Sequence, residues 1–146
     1  MVVKEDKQPW EVDFINKWAK DLTVEQIKEK EQYYLDFCLD GYLEAWKFRP
    51  TRGEALYQFV AIHREIGNHQ IAYDYAMEGK KLTFPTDHLF IEANAYTWGF
   101  DYEISIVAYY LNKCEEGAES CARVLEYDNI PDHIRRKVEE NCKFYI

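Results

Sequence analysis

Residues 71–79, IAYDYAMEG, and residues 114–125, CEEGAESCARVL, decide how this chain is read. Ile71, Ala72, Tyr75, Ala76 and Gly79 share one face of a 3.6-residue period, as do Cys114, Ala118, Cys121, Ala122 and Leu125. Small residues four apart let a neighbouring helix approach closely, so each stretch reads as the second helix of an antiparallel pair. Laying Ala72 on Ala118 and Ala76 on Ala122 gives a repeat offset of 46 residues. In that register Phe59 meets Ser105, Val60 meets Ile106, His63 meets Tyr109 and Pro85 meets Pro131.

The first helix of each pair lies upstream. Leu56, Phe59, Val60, Ile62 and His63 form one stripe up to Ile66, opened by a capping-box spacing at Thr51 and Glu54. Gly67 and Asn68 supply the turn, because both tolerate a left-handed backbone. The segment Ile104 to Leu111 is apolar on nearly every side and reads as the central helix, with Asn112 and Lys113 turning the chain after it. Between the pairs, Leu89, Phe90, Ala93 and Tyr96 suggest an inserted helix over residues 87–98, capped by Asp87. A last helix after Pro131 carries Ile134, Val138, Cys142 and Tyr145.

At the other end, Pro9, Trp10, Phe14, Ile15, Trp18 and Leu22 suggest a short amphipathic helix or extension over residues 1–22. Thr23 and Gln26 then form a capping box before a long helix. Its stripe is Ile27, Tyr34, Leu35, Cys38, Tyr42, Leu43 and Trp46, and Pro50 stops it near Phe48. Gly41 marks a weaker third copy of the repeat. No run alternates with period two, so the expected fold is all-α, a single domain over residues 1–146 with its helical repeat core at 23–146.

Composition narrows the function. The 146 residues are 47% hydrophobic and 16% aromatic, enough apolar surface to offset the entropy of ordering the chain. A net charge of −9 repels phosphate backbones, so nucleic acid is not an expected partner. The one basic cluster near a helix junction is Lys47, Arg49 and Arg52. The four cysteines, Cys38, Cys114, Cys121 and Cys142, contain no CxxC pair and read as reduced core thiols, which suits the cytoplasm. Residues 1–7 hold four charges and no signal-peptide pattern, and no apolar run reaches membrane-spanning length.

Helix pairs with alanines at a four-residue spacing resemble tetratricopeptide units, which recur every ~34 residues and stack into a superhelix. The stretch from Tyr42 to Tyr145 further resembles the helical region that follows the catalytic domain in some family 2 glycosyltransferases of bacteria and large viruses. Carrying that resemblance are Leu43, Glu44, Ala45, the run Arg49, Pro50, Thr51 and Arg52, and then Glu54, Ala55, Leu56 and Tyr57. Arg64, Gly67, Asn68, Ala72, Tyr73, Phe90, Tyr96, Trp98, Ser105, Ile106, Ala108, Tyr109, Tyr110, Asn141 and Phe144 continue it. The Asp-any-Asp signature of the catalytic domain is missing, so the resemblance implies an accessory module and carries over no catalytic residue.

No two of His63, His69, His88 and His133 stand four apart, as metal ligands on one helix would. His63 reads as a packed or hydrogen-bonded core residue. Phosphate-binding glycine loops are missing as well, so no cofactor, metal or catalytic residue is expected. Binding remains, on a concave surface lined by the first helix of each pair. That face is expected to hold Glu54, Tyr57, Ala61 and Arg64 in one unit and Phe100, Glu103, Val107 and Tyr110 in the other, the alternative being that Tyr57 and Tyr110 fill the gap between helices and Arg64 pairs with Glu54 or Glu65; Arg49 and Arg52, in the basic cluster, are further binding candidates, for an anion. The expected partner is a protein or peptide, including a second copy of this chain or a glycosyltransferase catalytic domain, with no membrane partner. A carbohydrate or acceptor-binding role is the alternative.

Overall fold

The computed structural model describes residues 22–146, so the helix expected from Pro9 onward lies outside the described residues. The chain divides into two compact units, one ending at Cys38 and one spanning Leu39–Ile146. Every described element is helical. Helix α1 (Val24–Phe48) runs from the first unit into the second. The second unit continues with α2 (Glu54–Glu65), α3 (His69–Gly79), a 3-10 turn (Ala93–Tyr96), α4 (Gly99–Tyr110), α5 (Cys114–Leu125), α6 (Asp132–Cys142) and a final 3-10 turn (Lys143–Tyr145).

Local chemistry sets most of the boundaries. At the start of α1 the Gln26 amide N–H donates to the Thr23 hydroxyl at 3.2 Å, and the Thr23 N–H donates to Oε1 of Gln26 at 2.9 Å. This is the expected reciprocal cap. Helix α2 ends at Gly67, whose φ of 86° lets Asn68 N–H reach the carbonyl of His63 at 2.8 Å. Helix α4 ends in the same way at Asn112, φ 57°, with Lys113 N–H on the carbonyl of Ala108 at 2.9 Å. Both pairs therefore turn through the same left-handed closure, which leaves the second helix antiparallel to the first. Asn68 itself has φ −81°, so only the glycine of that turn is left-handed.

These two turns lie 45 residues apart, from Gly67 to Asn112, where the match of small residues had an offset of 46. Leu56, Phe59, Val60 and His63 of α2 then align with Asp101, Ile104, Ser105 and Ala108 of α4, and every one of them is buried. Ala72, Ala76 and Gly79 of α3 align with Gly117, Cys121 and Val124 of α5, also all buried. Ala118 and Ala122 are exposed. The 46-residue match paired small residues and prolines while missing that in α5 a glycine and a cysteine hold the close-contact places. A Cβ on Gly117 would lie 2.3 Å from the ring of Tyr145, and one on Gly79 would lie 2.4 Å from that of Phe100.

Other expectations fail for physical reasons. Residues 87–92 form no helix, because Arg52 takes the carbonyl of Phe90 at 2.8 Å and the Glu92 N–H donates to Glu54 at 3.2 Å. Phe90 sits at φ 58°, and Leu89 and Phe90 face solvent. Asp87 caps nothing helical; it receives Arg49 and Arg52. Thr51 does not cap α2, since Gly53 holds that position and the Glu54 carboxylate is engaged elsewhere. On α1 only Leu39 is buried, while Tyr34 and Cys38 of the expected stripe are exposed, and Cys114 is exposed too. Gly41 has nothing within 4 Å of an added Cβ, so the weak third copy lacks a close helix contact at that point.

Helix α4 is the centre of the second unit, packing against α2, α3, α5 and α6. Phe100, Ile104, Val107 and Ala108 are buried within it, beside Leu56, Phe59 and Val60 of α2. A second cluster of Trp98, Cys121, Val124, Ile130 and Val138 continues the core toward α6. In that cluster burial pushes the Cys121 thiol up to about 12, so it behaves as a small apolar residue.

The two registers make opposite forecasts for neighbouring residues. Gly117→Ala drives a methyl into the Tyr145 ring and is expected to cost about 1–3 kcal/mol in spite of its better helix propensity. Ala118→Leu, on the exposed face, is expected to change stability by less than about 0.5 kcal/mol. Thermal melts of the two variants decide, and the reverse ranking restores the 46-residue register.

Candidate functional site

Arg49 and Arg52 stand on the corner between α1 and α2, and both turn inward to the long loop before α4. Arg49 Nη2 meets both oxygens of Asp87, at 2.6 and 2.8 Å. Arg52 donates to Glu54 from Nε and Nη2 at 3.1 and 3.0 Å, to the carbonyl of Phe90 and to Asp87. The Tyr96 hydroxyl donates to Oε2 of Glu54 at 2.6 Å and accepts the N–H of Gly53 at 2.8 Å, giving the start of α2 a cap from a distant residue. Partial burial works against the Glu54 charge, but hydrogen bonds from Arg52 and Tyr96 prevail and hold its carboxyl at about 2. The Arg52 guanidinium is correspondingly raised, chiefly by its hydrogen bond to Glu54.

One turn further along α2 and beyond, the expected binding face closes on itself. Arg64 Nε lies 2.6 Å from Oε2 of Glu103, and Nη2 lies 3.3 Å from Oε1, a two-pronged pair on a carboxylate only 1% exposed. Burial pushes the Glu103 carboxyl above its ordinary value, and the Arg64 charge offsets part of that cost. Tyr57 packs edge-on against Phe100 at 5.5 Å, and burial raises its phenol. Phe100, Glu103 and Val107 are buried, so three residues expected to line a concave face present no surface to a partner. Asp101, also buried, accepts Arg123 at 3.0 Å and lies 3.7 Å from Lys80. His63 is the core residue expected: buried, edge-on to Phe59 at 4.5 Å, with its Nδ1 accepting from the Asn68 amide at 3.1 Å. Desolvation lowers its pKa, which favours the neutral ring.

Tyr110 stands apart from the other candidates. It is 59% exposed and lies flat on His69, with ring centroids 4.0 Å apart and planes 3° apart. It also meets Tyr109 edge-on at 5.4 Å, and Tyr109 meets Phe144 at 5.4 Å. Four rings from α3, α4 and the final turn thus form one continuous chain, of which Tyr109, Tyr110 and Phe144 are half or more exposed. Beneath it lies a depression of about 110 Å³ that Asn141 and Tyr145 help to wall. Tyr109, Phe144 and Asn141 were not among the expected site residues. The corrected register shows their signal: Tyr109 and Tyr110 take the places of Arg64 and Glu65, so aromatic rings stand where the first pair carries charges.

Comparison with family models, with curated proteins and with solved structures found no match to this chain. No described helix is long and apolar enough to cross a membrane, and no metal-binding cluster occurs among the described residues.

The polar corner makes a pH forecast. A carboxyl depressed from 4.5 to about 2 contributes stability that is complete above the unfolded value and is lost as pH falls toward the folded one. The stability advantage of the native protein over Glu54→Gln is therefore expected to shrink steadily between about pH 5 and pH 2. Urea titrations of both proteins across that range measure it, and a constant difference contradicts the assigned network.

Proposed function

We propose that this chain is a non-catalytic interaction or scaffolding module that engages a protein or peptide through the aromatic chain Tyr110, Tyr109 and Phe144. The observation that carries the reading is the exposure of three contiguous rings on a rigid helical frame. Large rings lose little entropy on binding and dominate recognition surfaces, and contiguous exposed apolar area marks interaction sites. The polar candidates Arg52, Glu54, Arg64 and Glu103 are consumed by internal pairing, which leaves the rings as the available binding groups.

Two helix pairs with the same closure and a 45-residue offset support a tetratricopeptide-like stack. Association with a glycosyltransferase rests on the sequence resemblance from Tyr42 to Tyr145, and a cytoplasmic setting on the free cysteines. The charge of −9 supports a partner other than nucleic acid. Exposed rings also favour a second reading, stacking on the sugar of an acceptor.

The test is selection from a peptide library displayed on phage, followed by affinity measurement on the native protein and on Tyr110→Ala and Phe144→Ala. Each substitution is expected to weaken the selected peptides by about 2 kcal/mol, the size of an anchor residue, with melting temperature nearly unchanged. Selected peptides that bind both variants as well as the native protein overturn the assignment of this face. Binding to oligosaccharides alone, lost in both variants, would instead establish the second reading.

A further inference from the structure

Two thiols meet where α5 packs against α6. Cys121 lies midway along α5 and is fully buried, while Cys142, the last residue of α6, is partly buried. Both pack in the cluster of Trp98, Val124, Ile130 and Val138 that joins the two helices. Within it the Cys142 thiol is hydrogen-bonded to that of Cys121. A disulfide requires two neighbouring backbones that aim their sulfurs at each other, and two thiols in contact meet that demand. The other two cysteines, Cys38 and Cys114, are exposed. Cys114 and Cys121 share α5 but lie about 10 Å apart along its axis, which is beyond the reach of a disulfide.

We propose that Cys121 and Cys142 form a redox modification site, which a small disulfide of the glutathione class closes to a reversible cross-link between α5 and the end of α6. Cys142 takes the first step, because it reaches solvent. Its thiolate attacks one sulfur of the small disulfide, and one glutathione leaves as its thiolate. The mixed disulfide so formed on Cys142 stands against Cys121. Cys121 then gives up its proton, attacks Cys142 Sγ and releases the second glutathione. In sum two protein thiols are oxidised, one small disulfide is reduced to two thiols, and the two protons pass to the leaving thiolates. Burial keeps Cys121 protonated, so the second exchange is the slow one. Cys38 and Cys114 react as exposed single thiols and stop at the mixed disulfide. The cross-link pins the start of the final turn, which carries Phe144 and Tyr145, to α5 and closes a loop that the unfolded chain otherwise leaves open.

The experiment incubates the folded full chain, and its double variant Cys38→Ser with Cys114→Ser, in glutathione disulfide. The products are then unfolded in N-ethylmaleimide and weighed. The double variant is expected to lose the mass of two hydrogens, with neither glutathione nor maleimide attached, and fragmentation is expected to place the link between Cys121 and Cys142. The native chain is expected to carry the same link, with glutathione on Cys38 and Cys114. The melting temperature of the cross-linked double variant is expected to rise by several degrees and to fall back when dithiothreitol is added. Glutathione left on Cys142 with Cys121 taken by maleimide overturns the site. So does maleimide on both residues, or a cross-link that lowers the melting temperature. Should the double variant not fold, fragmentation of the oxidised native chain still decides between these outcomes.

Discussion

Helix α4 is buried on nearly every side, yet it carries two carboxylates, Asp101 and Glu103, into the interior. A charge withdrawn from water must find a partner, and each of these finds its partner on a different neighbouring helix. Glu103 takes Arg64 from α2, and Asp101 takes Arg123 from α5 with Lys80 close by. The paired charges fix which turn of each helix faces which, and the glycines at 79 and 117 set how closely rings pack beside them.

That internal pairing limits which side chains are left for the proposed partner. Arginine beside tyrosine on one helix face is the composition of a recognition surface, but here Arg64 and Tyr57 are spent on the interior. The corner built by Arg52, Glu54 and Tyr96 is equally inward, holding the loop before α4 against the start of α2. What remains is the far side of α4, where its last residues, Tyr109 and Tyr110, emerge beside Phe144.

The fold class was legible because each described helix has a clean 3.6-residue stripe or a recognisable cap, as at Thr23, Gly67 and Asn112. The two helix pairs and their turns were legible too, although their small residues were laid one residue out of step with the turns. Alanines at 118 and 122 imitate the small residues of α3, whereas the true close contact lies at Gly117, and only packing against Tyr145 distinguishes them. The loop over residues 87–92 was not legible, because what prevents a helix there is Arg52, 37 and 38 residues upstream of the backbone carbonyls of Leu89 and Phe90 that it takes. Of the candidate site, Tyr110 emerged at the surface. Glu103 and Phe100 did not, since a helical period shows which residues share a face and cannot show which face a later helix will cover.

If the Arg64 to Glu103 pair registers the two helix pairs, a double-mutant cycle over Arg64→Met and Glu103→Met shows it. Removing Arg64 strands a buried carboxylate and is predicted to cost about 3–5 kcal/mol, removing Glu103 leaves a guanidinium that still reaches water and is predicted to cost less, and the double variant, with both charges gone, is predicted to recover most of the loss seen in Arg64→Met. Costs that simply add, leaving the double variant the least stable of the three, would contradict the account.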